Sequence, residues 1–343
     1  MKLAIVGLGG VGGHYGARLA RRYAGGKDGV DVLFVARGEH LRQIRQGGLQ
    51  YSTPGEAWVA YPAAASDQPS EWGELDLILF CVKTYALEES AAQLRANVGL
   101  ATTLTTVLNG VDNAERLRAV FPHAAVLNGG VYISATLVAP GEVRHIGGTG
   151  KTFFGLEPAP GHYIQEPAPG RHIQEPAPGR HAQEPAPGRH AQEQGGEHAR
   201  FRPLAGLFQA AGIDAEYRED IRWAVWEKYL FISPLASATT VLGQTFGELQ
   251  ADPHSWALLN GLLSEVEAVA GAQGVSLPAD VHQTTLNKVR SFPPTTQTSL
   301  QTDAERGKPL ELETFTGYVV RAGRRLGVPV PLHEQIYSQL KPV

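Results

Sequence analysis

The stretch Gly7-Leu8-Gly9-Gly10-Val11-Gly12 sits directly behind the apolar run Leu3 to Val6 and ahead of a helix-compatible segment from Tyr15 to Tyr23. In that setting each glycine has a use. Gly7 permits a tight turn, Gly9 removes the Cβ that would keep backbone amides away from a pyrophosphate, and Gly12 lets a helix pack closely on the strand. The amides and partial positive charge at that helix's N-terminus then suit phosphate groups. By itself the spacing is equally that of an ordinary glycine turn. Its weight comes from position, because the following residues complete a βαβ unit: Gly7 to Gly13 as the turn, Val32 to Val35 as the second strand, and a basic helix around His40 to Gln46.

Apolar runs at Leu75 to Val82, Thr103 to Leu108 and Ala125 to Leu127 continue the pattern, separated by segments long enough for crossover helices. Gly129 to Leu137 and Glu142 to Ile146 read as later strands of the same domain around a Pro140-Gly141 turn. Phe201 to Ala211 reads as an amphipathic helix ending at Gly212, and Ala215 to Tyr217 as an edge strand, after which the domain should end. From Arg222 onward the pattern is helical: Trp223 to Leu235, Phe246 to Leu249, Ala257 to Ala272, Ala279 to Ser291 and Leu310 to Leu326, with Gly327-Val328-Pro329-Val330-Pro331 stopping the last. The expected fold is α/β, an N-terminal Rossmann-type doubly wound parallel sheet over 1–219 plus an all-α C-terminal domain over 220–343. The length of 343 residues agrees with two domains, since single cores stop growing at ~250 to 300 residues.

One segment breaks the pattern. Between Glu157 and Gln192, Glu-Pro-Ala-Pro-Gly-x-x-x-Gln recurs four times, and 157–198 is expected to be a solvated, partly extended insertion. Its histidines, His162, His172, His181 and His190, are spaced too far apart in an extended chain to converge on a metal, so a replicated spacer is the favoured reading. Outside it no cluster has metal-ligand spacing, and no metal is expected.

The composition excludes other classes. A formal charge of -4 supplies no basic field for a phosphate backbone, which argues against nucleic acid and for a small-molecule substrate. Cys81 is the single cysteine, in the apolar run Leu77 to Val82, so it reads as core, no intrachain disulfide is available, and the cytoplasm is the expected compartment. The glycine-broken N-terminus lacks the pattern of an export signal. Tyr229 to Gly247 is uncharged but carries Ser233, Pro234, Ser237, Thr239, Thr240 and Gln244, so it reads as buried helix, with no membrane contact expected. The long apolar helices of the second domain could bury a homodimer face.

Ligands of doubly wound sheets bind at the carboxyl ends of the strands. The second strand ends in Val35-Ala36-Arg37-Gly38, without the Asp or Glu that would favour a free ribose 2'-hydroxyl. Arg37 can pair with a 2'-phosphate, which points to NADPH, against the alternative of a solvated surface arginine. Lys83 and Asn109 terminate two further runs, and either could be a functional group or a structural one, Asn109-Gly110 as a turn and Lys83 as a strand-end charge. Lys228 stands alone in the largely apolar Trp226-Glu227-Lys228-Tyr229-Leu230-Phe231. Burial would lower its pKa and suit it to protonate an alkoxide, unless it snorkels to solvent. Glu311 opens the last long helix and could hold a substrate hydroxyl or the lysine, or simply complement the helix dipole.

Together, the glycine motif, Val35-Ala36-Arg37-Gly38, Cys81-Val82-Lys83-Thr84, Leu108-Asn109-Gly110, Trp226-Glu227-Lys228, Thr298-Ser299-Leu300 and Gly307-Lys308-Pro309-Leu310-Glu311 resemble the ketopantoate reductase (2-dehydropantoate 2-reductase) family across nearly the whole chain except the repeat. The resemblance implies NADPH-dependent reduction of a 2-keto acid, 2-dehydropantoate to pantoate as in pantothenate biosynthesis. It further implies Lys228 as general acid, Glu311 and Ser299 contacting substrate, and Lys83 and Asn109 lining the cleft near the nicotinamide. Four and eight residues after the lysine, where the family usually carries substrate-binding asparagines, this chain has Ile232 and Ala236, and the Asn-Gly that commonly follows the glutamate reads Thr316-Gly317. Loss of those amides opens two alternatives: a different, more hydrophobic 2-keto acid, or an NADPH-binding sensor without catalysis. A 3-hydroxy acid or polyol phosphate dehydrogenase is a further rival, opposed by the Lys228 helix and the Ser299 to Glu311 segment.

Overall fold

The computed structural model describes residues 1–157 and 198–341. The expected insertion, with His162, His172, His181 and His190, lies outside them except at its two ends. The described residues form two compact units, 1–157 with 198–225, and 226–341; the division falls within a helix, between Val225 and Trp226.

In the first unit, β1 (Lys2–Val6) is buried on both faces from Leu3 to Val6 because every one of those side chains is apolar. That is what a central strand covered by helices on two sides requires. It pairs in parallel with β2 (Asp31–Val35) and β6 (Leu77–Phe80). β7 (Thr103–Thr106), β8 (Ala125–Val131) and β5 (Ala64–Ser66) extend the parallel sheet, giving the run β8-β7-β6-β1-β2-β5. Leu3 and Ile5 pack with Tyr15, Leu19 and Phe208 on one face, whereas Ala4 and Val6 pack with Leu87 and Leu117 on the other. The covering helices include α1 (Gly10–Arg22), α2 (Gly38–Gly47), α3 (Leu87–Gln93), α4 (Asn113–Val120) and α5 (Pro203–Ala210).

Three sequence-based expectations for this unit need correction. The helix begins at Gly10, not Tyr15, so the second half of the glycine motif is its first turn, with the Gly13 amide already donating to the Gly9 carbonyl at 2.7 Å. The sheet is not wholly parallel: β11 (Thr152–Leu156) runs antiparallel to β8, and β12 (Ala215–Tyr217) follows it at the edge. Gly129 to Leu137 is not one strand, because β8 ends at Val131 and β9 (Ser134–Ala139) leaves for a second sheet ordered β4 (Ala57–Ala60), β3 (Leu49–Ser52), β10 (Glu142–Gly147), β9. That sheet lies on the outer side of α1. His14 Nδ1 and the Tyr51 hydroxyl meet at 2.5 Å beneath it, and burial holds the His14 ring down to about 3, hence neutral. A helix covered on both sides must be small and apolar nearly all round, which explains the burial of every residue from Gly12 to Ala17.

The second unit is helical. It comprises most of α6 (Ile221–Leu242), then α7 (Phe246–Ala251), α8 (Pro253–Ala272), α9 (Val281–Arg290), α10 (Ser299–Glu305), a π turn (Glu313–Gly317), α11 (Tyr318–Leu326) and α12 (Pro331–Leu340). Thr245 and Glu248 cap α7 reciprocally, and the Asp252 carboxylate caps α8. Glu311 stands directly before the continuous helical run of Leu312, the π turn and α11, as its place at the head of that helix implied, and the run ends at Gly327; the further helix α12 is not among the expected elements. Gly327, at φ 69°, ends α11, whereas Pro331 opens α12, since a missing amide costs nothing in a first turn. No helix among the described residues is long and apolar enough to cross a membrane.

The start of α12 is held by the buried Glu265: its carboxylate accepts the amides of Leu332 (2.8 Å) and His333 (3.0 Å) and the ring Nδ1–H of His333 (2.7 Å). Removing the carboxylate strips a helix cap and leaves a buried imidazole N–H unpaired. Glu265→Ala should therefore lower unfolding stability by about 2–4 kcal/mol, read as a fall in the urea midpoint with little change of slope.

Candidate active site

The first unit collects its candidate residues at the carboxyl ends of four adjacent strands, β7, β6, β1 and β2. Gly7 follows β1 at φ +88°, and its amide donates to the Val35 carbonyl at 3.1 Å, tying the ends of β1 and β2. A Cβ on Gly12 would stand 1.9 Å from the Gly7 carbonyl oxygen, so only glycine allows α1 to rise this close to its strand. At Gly9 the reverse holds: nothing lies within 4 Å of where a Cβ would point. Gly9 is also the N-cap of α1, and no side chain caps that helix, so the amides of Gly10, Val11 and Gly12 have no side-chain acceptor. Orphan amides beside empty volume are what a diphosphate needs.

Leu8 is buried and its carbonyl accepts His40 Nε2–H at 2.9 Å, while His40 Nδ1 accepts the Gly141 amide at 2.8 Å. The two bonds define a neutral ring, in line with burial pulling its pKa down. His40 therefore braces the glycine turn from α2, a role the sequence did not reveal because nothing in its spacing links it to Leu8. Arg37 is the N-cap of α2, and its exposed guanidinium lies 3.7 Å from Glu89. With both side chains largely solvated, that pair is weak and easily exchanged. No carboxylate ends β2, and the next acidic residue, Glu39, is bound by Arg42 and Gln43 at 2.5–2.7 Å. Lys83 is half-buried where β6 gives way to a short helical turn, Thr84–Ala86. Asn109 is half-buried just beyond β7, its carbonyl accepting from Asn113 Nδ2 at 2.9 Å, with Gly110 turning the chain at φ +106°.

The second unit brings Lys228 and Glu311 together. Both are buried, 7% and 6% exposed, which settles the question of a snorkelling lysine. Burial pulls the Lys228 ammonium down to about 8; the Glu311 carboxylate opposes that shift and Lys288 adds to it. Lys288 itself lies 4.8 Å over the Phe231 ring. The π turn after Glu311 is fastened to α6: the Tyr229 hydroxyl donates to the carbonyls of Thr314 and Phe315 at 2.9 and 2.7 Å, and Ser233 Oγ to Phe315 at 3.2 Å. These carbonyls, released from regular helical pairing, accept from side chains instead, so the lysine helix and the glutamate segment are held by one set of bonds. Ser299 is exposed on the first turn of α10, while its neighbour Thr298 turns inward, caps α10 through Gln301 N and meets Thr239 Oγ1 at 2.8 Å.

Ile232 and Ala236 lie four and eight residues beyond Lys228, on the same side of α6. Ala236 is fully buried with Leu300 and Phe315, and Ile232 and Leu310 pack against that group half-buried. The surroundings of the lysine on this side are thus apolar. Cys81 is buried and its thiol pKa is raised by burial alone, which suits a core residue and not a nucleophile.

Residues 3–158 match the family model of the ketopantoate reductase PanE/ApbA, and residues 220–343 match that of its C-terminal domain. Among solved structures, the chain is similar to a 2-dehydropantoate 2-reductase from Porphyromonas gingivalis W83, at 34% identity and TM-score 0.75 over 99% of both chains. It is also similar to a PanE/ApbA family ketopantoate reductase from Ralstonia eutropha JMP134, at 28% identity and TM-score 0.78 over 99% of this chain and 97% of that one. A protein named 2-dehydropantoate 2-reductase from Mesorhizobium japonicum is 27% identical over 99% of this chain and 97% of its own length. With both family models matched in order along most of its length, the chain belongs to the ketopantoate reductase family and is a nicotinamide-dependent oxidoreductase.

Proposed function

We propose that this protein reduces a 2-keto acid with NADPH, with Lys228 as the general acid; 2-dehydropantoate, for which its relatives are named, is the first substrate to test. The observation that carries the reading is a buried amine within the field of the Glu311 carboxylate, with its pKa drawn down to about 8 by burial.

The cofactor suits the residues present. The uncapped start of α1, with open space over Gly9, would hold the diphosphate, and Arg37 the 2'-phosphate, exchanging Glu89 for a doubly charged partner. Lys83 and Asn109, at the ends of β6 and β7, would line the nicotinamide and substrate side. When bound, the cofactor supplies the hydride. Lys228 Nζ holds the proton that the carbonyl oxygen takes up as it gains negative charge. A group with a pKa near 8 is still mostly protonated at neutral pH, yet gives up its proton more readily than a solvated lysine. Glu311 stabilises the ammonium until transfer and offers an acceptor to a substrate hydroxyl, and Ser299 is proposed as a further substrate contact from α10. The proposed domains follow this division of labour, 1–219 for cofactor and 220–343 for substrate and proton.

The apolar group around Ile232, Leu310, Ala236 and Phe315 favours a second reading, a 2-keto acid bearing a larger apolar substituent. Absorbance of NADPH across a panel of keto acids, 2-dehydropantoate included, separates the two. Lys228→Ala should lower kcat on every accepted acid by about 10²- to 10⁴-fold. Full turnover by that variant would end the mechanism, and cofactor binding with no oxidation by any acid would indicate a sensor.

The pH profile tests the proton donor. Reduction requires the ammonium form, so kcat/KM should fall as pH rises through about 8. Glu311 works to raise the Lys228 pKa, so Glu311→Gln should move that limb to lower pH; a limb left in place would contradict the pairing. For the cofactor, Arg37→Glu should cut the preference for NADPH over NADH by roughly 10- to 100-fold, measured as the ratio of the two kcat/KM values.

A further inference from the structure

The opposite end of α1 from the glycine turn carries a second concentration of charge. Arg18, Arg21 and Arg22 from that end, Lys27 from the following turn, Trp58 from β4 and Glu56 just before it line an open cavity of about 310 Å³, flanked by Ala210 and Ala211 at the end of α5. α1 has 13 residues, which puts this cavity ~20 Å along the helix from the diphosphate turn.

We propose that this cavity is an anion site, distinct from the cofactor turn, that takes the phosphoryl group of a small soluble molecule. Two carboxylates already engage two of the cations, Glu56 with Arg21 at 3.0 Å and Asp28 with Arg22 at 2.7 Å. Arg18 and Lys27 form no ion pair among the described residues, so two positive charges are left over. A phosphate monoester carries about -1.5 to -2 at pH 7, which matches that surplus. Arg18 is held in place by a bond from Nη1 to the Gly212 carbonyl at 3.1 Å, which the carbonyl accepts without neutralising the charge, so the guanidinium keeps its attraction for a phosphate oxygen.

The aromatic residue does not offer a stacking surface. Arg21 lies 4.4 Å over the Trp58 ring, Tyr51 packs at 4.7 Å, and the indole N–H donates to the Ala17 carbonyl. Trp58 instead fixes the arginines in place, so recognition rests on charge and not on a base or ring. The negative end of the α1 dipole accounts for Arg21 and Arg22 in its last turn, but not for Arg18 one turn earlier or for Lys27 beyond the helix.

Calorimetric titration of the full chain at low ionic strength with inorganic phosphate, pyrophosphate and glycerol 3-phosphate tests the site, each run with and without saturating NADPH. One anion should bind per chain with the cofactor present, weakened about 10-fold or more in Arg18→Gln/Arg22→Gln and roughly 3- to 10-fold in Lys27→Gln. Stronger binding of glycerol 3-phosphate would identify a phosphorylated metabolite, and stronger binding of the inorganic ions a free anion. Absence of binding up to ~10 mM, loss of binding on NADPH saturation, or equal affinity in Lys27→Gln would each overturn the proposal. Lys27 is exposed, so that variant decides the matter even where the double variant fails to fold.

Discussion

The approach of α1 to β1 is the constraint on which the first unit depends. A methyl group at Gly12 would collide with the Gly7 carbonyl, so the helix can start where it does only because that position is bare. Its start at Gly10 leaves three first-turn amides without side-chain acceptors at the carboxyl end of the central strand. The second sheet then presses on the other side of the same helix, and His40 links the turn at Leu8 to the β9–β10 hairpin through Gly141. The turn proposed to hold the diphosphate is thereby built from backbone and braced from two directions.

The second unit solves a different problem, keeping an amine buried. Drawing Lys228 from 10.5 to about 8 corresponds to roughly 3 kcal/mol against the charged form. That cost is present below about pH 8 and disappears as pH rises toward 10.5, where the unfolded chain also loses the proton. The fold offsets part of it with Glu311, placed by a π turn whose carbonyls are bound by Tyr229 and Ser233 from the lysine's own helix. Packing for which the protein gives up stability marks a group whose protonation has a use.

Much of this was legible in the chain. The glycine spacing, the two-sided apolar strand β1 and the lysine isolated among aromatic residues are local signals, readable from neighbours in sequence. The second sheet was not, because β3 and β4 are short, mixed in polarity and paired with strands from much farther along the chain. The break between β8 and β9 escaped notice for the same reason: the apolar pattern runs on while its hydrogen-bonding partner changes. The end of α11 before Pro331 was readable, but the helix that Pro331 opens was not, since proline chemistry alone does not say whether a helix follows it.

By itself, then, the sequence determined the class of fold, the position of the glycine turn proposed for the diphosphate and the one lysine isolated in an apolar helix. Each follows from short-range rules of glycine conformation, periodicity and charge. Tertiary structure alone decided that Lys228 meets Glu311, that His40 braces Leu8, that Thr298 and not Ser299 turns inward, and that the cations of α1 line a cavity. Those facts depend on which distant segments share a low-dielectric interior, and burial of that kind is a property of packing that no local pattern encodes.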